Sequence, residues 1–259
     1  MKVTLIISTY NWPWALNLCL NSAMNQQEKP DEIIIADDGS KNETKEVIDS
    51  YIQKSTIPIF HAWQEDKGFR VAASRNNAIR KSTGDLIIFA DHDMVLHPKF
   101  IADHKRFAKN GYFINGSRVT TKENVIPFMK DNNLLHVPTS NKFIKNPLNG
   151  IRLPFLNFII KGKTHNENGI RTANMSVWKK DLDTINGFDE IFEGWGHEDS
   201  DLACRLMNAG VKRQNIKFAV IGYHLYHNEE DKSVSDTRNW DLKNQRRDIN
   251  KIKAEKGLV

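Results

Sequence analysis

The chain has 259 residues, 39% of them hydrophobic and 27% charged, with a mean hydropathy of −0.55. This balance excludes a disordered or fibrous polypeptide and a membrane-spanning bundle, and a chain of this length buries enough apolar surface to fold without disulfides. A net charge of +5 and a pI of about 9.0 suit an anionic partner (nucleic acid, acidic membrane surface or diphosphate) as well as a merely lysine-rich surface.

Residues 3–8 are a β-branched run that predicts a buried strand, and over 14–24 Leu16, Leu20 and Ala23 fall on one helical face. Ile33, Ile34, Ile35 and Ala36 predict a second strand, stopped by Asp37-Asp38-Gly39-Ser40. A helix over 43–53, a strand over 57–63 and a helix over 71–81 follow, and Gly84 breaks the pattern. Residues 86–90 predict a fourth strand ending at Asp91-His92-Asp93, and 100–109 a helix. Such alternation implies a mostly parallel sheet that binds ligands at the carboxyl ends of its strands.

Further on, 115–120 predicts a strand. Residues 121–168 are rich in Asn, Lys and Pro and predict a long excursion with some helix, an active-site cover. Residues 171–178 predict a strand, 180–185 a short helix, 199–209 a helix with Leu202, Leu206 and Ala209 on one face, and 217–222 a last buried strand. The polar tail from 237 is expected to be helical. Cys19 and Cys204, far apart in apolar helix-like stretches, are expected to be buried free thiols of a reducing compartment. No signal-peptide pattern precedes the first strand, and no apolar run approaches the ~20 residues that span a bilayer. The expectation is a cytoplasmic protein, at most peripheral to the inner face of a membrane. Lys243, Arg246, Arg247, Lys251, Lys253 and Lys256 would supply that contact with anionic lipid. Asn42, Asn115 and Asn174 open N-x-S/T triplets that are then chance matches.

Several polar clusters follow strand ends. Two carboxylates two residues apart, as in Asp91-His92-Asp93, can hold a divalent cation that binds a diphosphate, although a lone Asp-x-Asp also serves as a loop or cap. Asp37-Asp38-Gly39-Ser40 is either a turn with Ser40 capping the next helix, or a site where one Asp bonds a base or ribose. Arg75-Asn76 either meets a phosphate or base edge or forms a solvated helix face. In Gly194-Trp195-Gly196-His197-Glu198-Asp199-Ser200-Asp201 the glycines allow a tight turn that frees the Trp195 indole as a sugar platform. Glu198-Asp199 opens a helix, where the dipole favours ionised carboxylates and a general base can work. A plain N-cap explains Asp199 and Asp201 but not the Trp. His224 and His227 follow the last strand and either complete a metal shell or are structural. Gly162-Lys163-Thr164 looks like the end of a P-loop, but Asn157 stands where its first glycine is required.

Together these residues resemble the nucleotide-sugar transferases of the GT-A fold. Ile7-Ser8-Thr9-Tyr10-Asn11, Ile35-Ala36-Asp37-Asp38-Gly39-Ser40, Ala73-Ser74-Arg75-Asn76, Gly84-Asp85 and Asp91-His92-Asp93 are similar to the family 2 glycosyltransferases. Ile185-Asn186-Gly187-Phe188-Asp189 and Gly194 to Leu202 resemble the β-1,4-galactosyltransferases and the bacterial chondroitin-polymerase type. The resemblance implies an α/β fold with a Rossmann-like, mostly parallel central sheet flanked by helices. It implies one continuous domain, with residues 1–110 binding the nucleotide-sugar and 111–259 carrying the acceptor and catalytic groups. It further implies an inverting, metal-dependent hexosyltransferase. A Gal-, GalNAc- or GlcNAc-type sugar would pass from a UDP-sugar to the hydroxyl of a glycan or glycolipid, in bacterial capsule or lipopolysaccharide synthesis.

By the same resemblance Thr9, Tyr10, Asn11, Asp38 and Arg75 line the nucleotide pocket, and Asp91 sits near the ribose and metal. Asp93 binds the metal, Asp199 is the general base, Glu198 holds acceptor hydroxyls and Trp195 stacks on sugar. In the galactosyltransferases a Met and a His three residues later contact the metal; His224 and His227 occupy those places, so His224 departs from the pattern. Mn2+, or else Mg2+, suits a mixed carboxylate and imidazole shell better than Ca2+. The rival readings are a nucleotidyltransferase, which lacks its Gly-rich basic loop at Thr9-Tyr10-Asn11-Trp12-Pro13, and an inactive glycan-binding protein on a transferase fold. Basic and aromatic interleaving for nucleic acid is missing.

Overall fold

The computed structural model describes residues 1–158, 169–228 and 233–259. The Gly162-Lys163-Thr164 triplet and the end of the predicted cover, 159–168, lie outside them.

Strand β1 (Val3–Thr9) is buried along its whole length. It pairs in parallel with β2 (Glu32–Asp37) on one side and β4 (Leu86–Asp91) on the other, so that Ile6 lies between Ile34 and Phe89. Strands covered on both faces need continuous apolar runs, which explains their lack of alternation. β3 (Ile59–Trp63) adds to β2 as a parallel edge strand, with Ile59 and Ala62 buried and Phe60 and Trp63 exposed. Helices α1 (Pro13–Met24), α2 (Asn42–Lys54), α3 (Val71–Lys81) and α4 (Phe100–Phe107) connect these strands. The chain order reverses at β1, because β2 and β4 flank it. Ser8, Asp37 and Asp91 therefore end side by side, with a crevice at their carboxyl ends.

The second half does not form a separate sheet. β8 (Asn174–Trp178) adds antiparallel to β4, β6 (Tyr112–Asn115) antiparallel to β8, and β9 (Lys212–Asn215) parallel to β6. The result is a mainly parallel seven-stranded sheet, β3-β2-β1-β4-β8-β6-β9, within one α/β domain. A smaller sheet, β5-β10-β7, comprises β5 (Met94–Leu96), β10 (Ile221–His224) and β7 (Ser117–Thr120). Helices α5 (Val125–Asp131), α6 (Lys179–Thr184), α7 (Glu198–Asn208) and α8 (Ser233–Asp248) complete the fold. No helix among the described residues is long and apolar enough to cross a membrane.

Three expectations change. The strand predicted over 115–120 is two strands in different sheets. The chain switches sheets at Gly116, where a Cβ would come within 2.3 Å of Asn174 Oδ1. The strand predicted over 217–222 begins only at Ile221, because Phe218 (φ 57°) and Val220 (φ 53°) adopt left-handed conformations that no strand accommodates. The short strands β5 and β9 were not foreseen. Cys19 and Cys204 are buried free thiols, and Asn115 and Asn174 are buried too.

Part of the basic C-terminus turns inward. Lys243 and Arg246 are buried, and the Arg246 guanidinium donates to Asp189 Oδ2 (2.6 Å) and Asp201 Oδ1 (3.2 Å). Lys251 pairs with Glu255, and Lys256 with Glu190 at 3.5 Å. These four side chains make internal contacts, and the chain end docks on the 185–190 turn, where Asn186 Oδ1 accepts Val259 N–H at 3.0 Å.

Candidate active site

The crevice opens into a cleft of about 1820 Å3 lined from both halves of the chain. One small-molecule site is typically ~300–1,000 Å3, so this cleft has room for two small ligands together.

One end of it is built by the tips of β1 and β2. Thr9 and Asp38 are buried and Tyr10 is exposed, and all three line the cleft. The Tyr10 hydroxyl donates to Asp66 Oδ2 (3.0 Å). Asp38 accepts from Arg70 N–H (2.7 Å) and Gln64 Nε2 (2.6 Å), yet burial pushes its carboxyl above the usual range. Asp37 turns away. Burial alone would raise its carboxyl, but hydrogen bonds from His61 (2.8 Å) and Ser40 hold it below its ordinary value. Gly39 is required there, since at φ 96° a Cβ would lie 2.5 Å from Asp66 Cα. Asn11 is engaged by backbone and side chain of the next turn: its Oδ1 accepts Lys41 N–H (2.8 Å) and its own N–H donates to Ser40 Oγ (3.0 Å). It fastens the turn and lies outside the cleft lining.

For Arg75 and Asn76 the alternative of a solvated helix face does not hold. Both are buried rather than solvated, and Asn76 bonds the backbone of Phe188. Arg75 reaches the cleft, but its donors meet protein. Nε donates to Ser8 Oγ (3.0 Å), Nη2 to Asp91 Oδ1 (3.1 Å), and Nη1 to Glu198 Oε1 (3.1 Å) and Asp199 Oδ1 (3.2 Å). One guanidinium thus gathers three carboxylates from β4 and the first turn of α7. Burial, with the Asp199 charge beside it, pushes the Glu198 carboxyl up to about 7 despite Arg75. Asp199 is fixed further by Thr172, whose N–H donates to Oδ2 (3.0 Å) and hydroxyl to Oδ1 (2.6 Å).

The turn carrying Trp195 has Gly194 at φ 77°, Gly196 at 99° and His197 at 71°. Its carbonyls at Glu193, Trp195 and Gly196 accept from Asn239 Nδ2 of α8 at 3.0–3.3 Å. Trp195 lines the same cleft as Glu198 and Asp199.

Asp93 is the meeting point of the two sheets. His224 Nε2 donates to its Oδ2 at 2.9 Å, and His227 Nε2 lies 3.3 Å from the same oxygen. Burial would raise the Asp93 carboxyl, but these imidazoles override it and hold it far below the usual carboxylate range. The hydrogen bond to Asp93 raises His227 in turn. One ligand atom from each of the three residues falls within 4.8 Å of the others. Asp93 Oδ1 is buried with no hydrogen-bond partner among the described residues. His227 Nδ1 faces the Asn228 carbonyl (3.0 Å); in the neutral imidazole a proton donated there leaves the Nε2 lone pair turned inward. A buried orphan oxygen, two imidazoles and an oriented second shell fit a divalent cation. Trp12, which the motifs passed over, stands edge-on to His92 (5.7 Å) and His227 (6.2 Å). Thr172 and Asn239 were missed too, since they act through other residues and carry no local signal.

Residues 4–182 match the family model for glycosyl transferase family 2, and residues 160–228 match a model described as the N-terminal domain of galactosyltransferase. Validoxylamine A glucosyltransferase of Streptomyces hygroscopicus subsp. limoneus is 27% identical over 233 residues, covering 81% of this chain and 48% of that protein. Chondroitin synthase of Escherichia coli is 26% identical over 243 residues, covering 86% and 34%. The chain thus spans about half or less of the length of these relatives. A solved structure of GalNAc-T7 with UDP, GalNAc and Mn2+ superposes with a TM-score of 0.68 at 15% identity, over 95% of this chain and 48% of that one, a likeness of fold.

Proposed function

The chain belongs to glycosyl transferase family 2, and from that premise we propose that it is an inverting, metal-dependent transferase moving a sugar from a UDP-sugar to a glycan or glycolipid hydroxyl. The observation that carries this is a convergence in one cleft. The Asp93, His224 and His227 donor set lines the same cleft as the Glu198 and Asp199 carboxylates at the start of α7.

Residues 1–110 supply the nucleotide end through Thr9, Tyr10 and Asp38, with Asp91 nearer the ribose. Residues 111–259 supply the acceptor end. Asp93, His227 and His224 would hold Mn2+ or Mg2+, which when bound neutralises the charge that develops on a departing diphosphate. Asp199 takes the proton of the acceptor hydroxyl; Arg75 and Thr172 fix the carboxylate for that transfer. Glu198 holds neighbouring acceptor hydroxyls, and Trp195 offers its face to a sugar ring.

The UDP, GalNAc and Mn2+ named for GalNAc-T7 support a uridine donor, an N-acetylhexosamine or related hexose, and manganese. The likeness to a bacterial chondroitin synthase supports a role in surface polysaccharide synthesis. The test is a thermal-shift panel of UDP-sugars with and without Mn2+, on wild type and Asp93→Ala. Metal-dependent stabilisation by a UDP-sugar, lost in the variant, is the expected result. Absence of any shift from a folded wild type would overturn the reading.

A further inference from the structure

Beyond the Asp93 set, the cleft is lined by Arg118, Thr120, Lys145 and Tyr226. Strand β7 alternates buried Ser117 and Val119 with half-buried Arg118 and Thr120, so the latter two share the side that faces the cleft. Its parallel register sets Thr120 beside His224 and Arg118 beside Gly222 on β10. The guanidinium therefore springs from a position two residues along the sheet from an imidazole of the metal set. Lys145 enters from the other side. Its N–H donates to the Thr120 carbonyl (2.8 Å), and its ammonium lies 5.1 Å from the centre of the Tyr226 ring, next to His227. Among the described residues Lys145 meets no carboxylate.

The support beneath these two cations is built. The Asn146 side chain accepts Thr120 N–H (2.7 Å) and donates to the Arg118 carbonyl (3.1 Å), and Asn149 donates to that carbonyl as well (3.0 Å). Tyr226 is fixed by its N–H to Thr121 Oγ1 (2.8 Å) and its hydroxyl to Asn228 Oδ1 (3.0 Å).

We propose that Arg118 and Lys145 form a binding shelf for a phosphate-class oxyanion beside the Asp93, His224 and His227 set. A guanidinium offers paired planar donors that match phosphate oxygens, and an ammonium adds a movable point charge. Asp91, Asp93, Glu198 and Asp199 make the reaction centre rich in carboxylate and three of them engage Arg75, so this wall offers cations beside the Asp93 set to a polyanionic substrate. Whether the oxyanion is the donor's diphosphate or a phosphate on the acceptor rests on the nucleotide-sugar reading; the shelf rests on its own residues.

The test uses Arg118→Gln/Lys145→Gln, with Lys54→Gln/Lys81→Gln, both exposed positions, as the charge-matched control. Binding of UDP and uridine is measured by calorimetry with Mn2+, and of inorganic phosphate with and without saturating UDP. A loss of about tenfold or more for UDP, with uridine unchanged, shows that the shelf takes the donor diphosphate; that is the weight of one or two charge-assisted hydrogen bonds. Unchanged UDP affinity, with phosphate binding to the UDP-filled wild type lost in the variant, shows that it takes a second oxyanion. A variant that matches the control with all probes overturns the proposal. A wild type that binds no UDP defeats the nucleotide-sugar reading instead, and the nucleotide-free phosphate titration then decides the shelf alone.

Discussion

Arg75 carries one positive charge among Asp91, Glu198 and Asp199, so the cluster has more negative charge than its guanidinium can balance. Glu198 responds by keeping a proton to about pH 7, because burial and the neighbouring Asp199 disfavour its charge. A carboxyl raised on folding binds a proton that the unfolded chain releases near 4.5. Its contribution to stability is therefore complete below that pH and is lost as the pH climbs through about 7. Glu198→Gln fixes the neutral form. It should flatten the fall in stability between pH 5 and 8 and leave the variant more stable than wild type at pH 8, by up to a few kcal/mol at ~1.4 per pKa unit. Thermal unfolding of both proteins across that range checks this, and parallel pH profiles would refute it. The candidate residues of the cleft stood out in the sequence because carboxylates and imidazoles cluster just past apolar runs. The role of Arg75 did not, because helical spacing does not tell which face meets carboxylates 123 and 124 positions away.

Helix α7 presents Glu198 and Asp199 from its first turn while Asp201, two residues on, points inward. Asp201 accepts from Arg205 Nε (2.7 Å) and from Arg246 of α8, and Arg246 also holds Asp189. The same α8 supplies Asn239 to the Trp195 turn. Two anchors on one helix thus set the orientation of the carboxylate pair and the indole. Breaking a buried pair leaves an uncompensated charge, so Arg246→Ala should destabilise the protein by about 3–5 kcal/mol. Chemical denaturation measures this, and a loss below ~1 kcal/mol, the level of a surface pair, would show that the network is peripheral. The helices themselves were legible from their apolar spacing. The inward role of Arg246 was not, because its partners lie 45 and 57 residues away, beyond any local pattern.

At the scale of the whole molecule, the alternation of strand and helix up to β4 was enough to predict the parallel sheet and the crevice at its switch point. The antiparallel insertion of β8 and the small three-stranded sheet were not predictable, because partner choice between distant strands leaves no periodic trace. That small sheet brings the ends of the site together, since Asp93 follows β4 whereas His224 and His227 arrive more than a hundred residues later at the end of β10. A cation held by all three binds the folded chain only, because the unfolded chain cannot assemble them. Mass action then stabilises the fold by roughly 2.7 kcal/mol at a hundredfold excess over Kd, which for a domain of this size is several degrees in Tm. The cation competes with protons, because His227 must be neutral to bind and its hydrogen bond to Asp93 raises its affinity for a proton. Scanning calorimetry with Mn2+ should therefore show a concentration-dependent rise in Tm at pH 8, a smaller one at pH 5.5, and none in Asp93→Ala. A rise of equal size in Asp93→Ala would place the ion elsewhere and leave the Asp93–His224–His227 set as a hydrogen-bonded clasp between the two sheets.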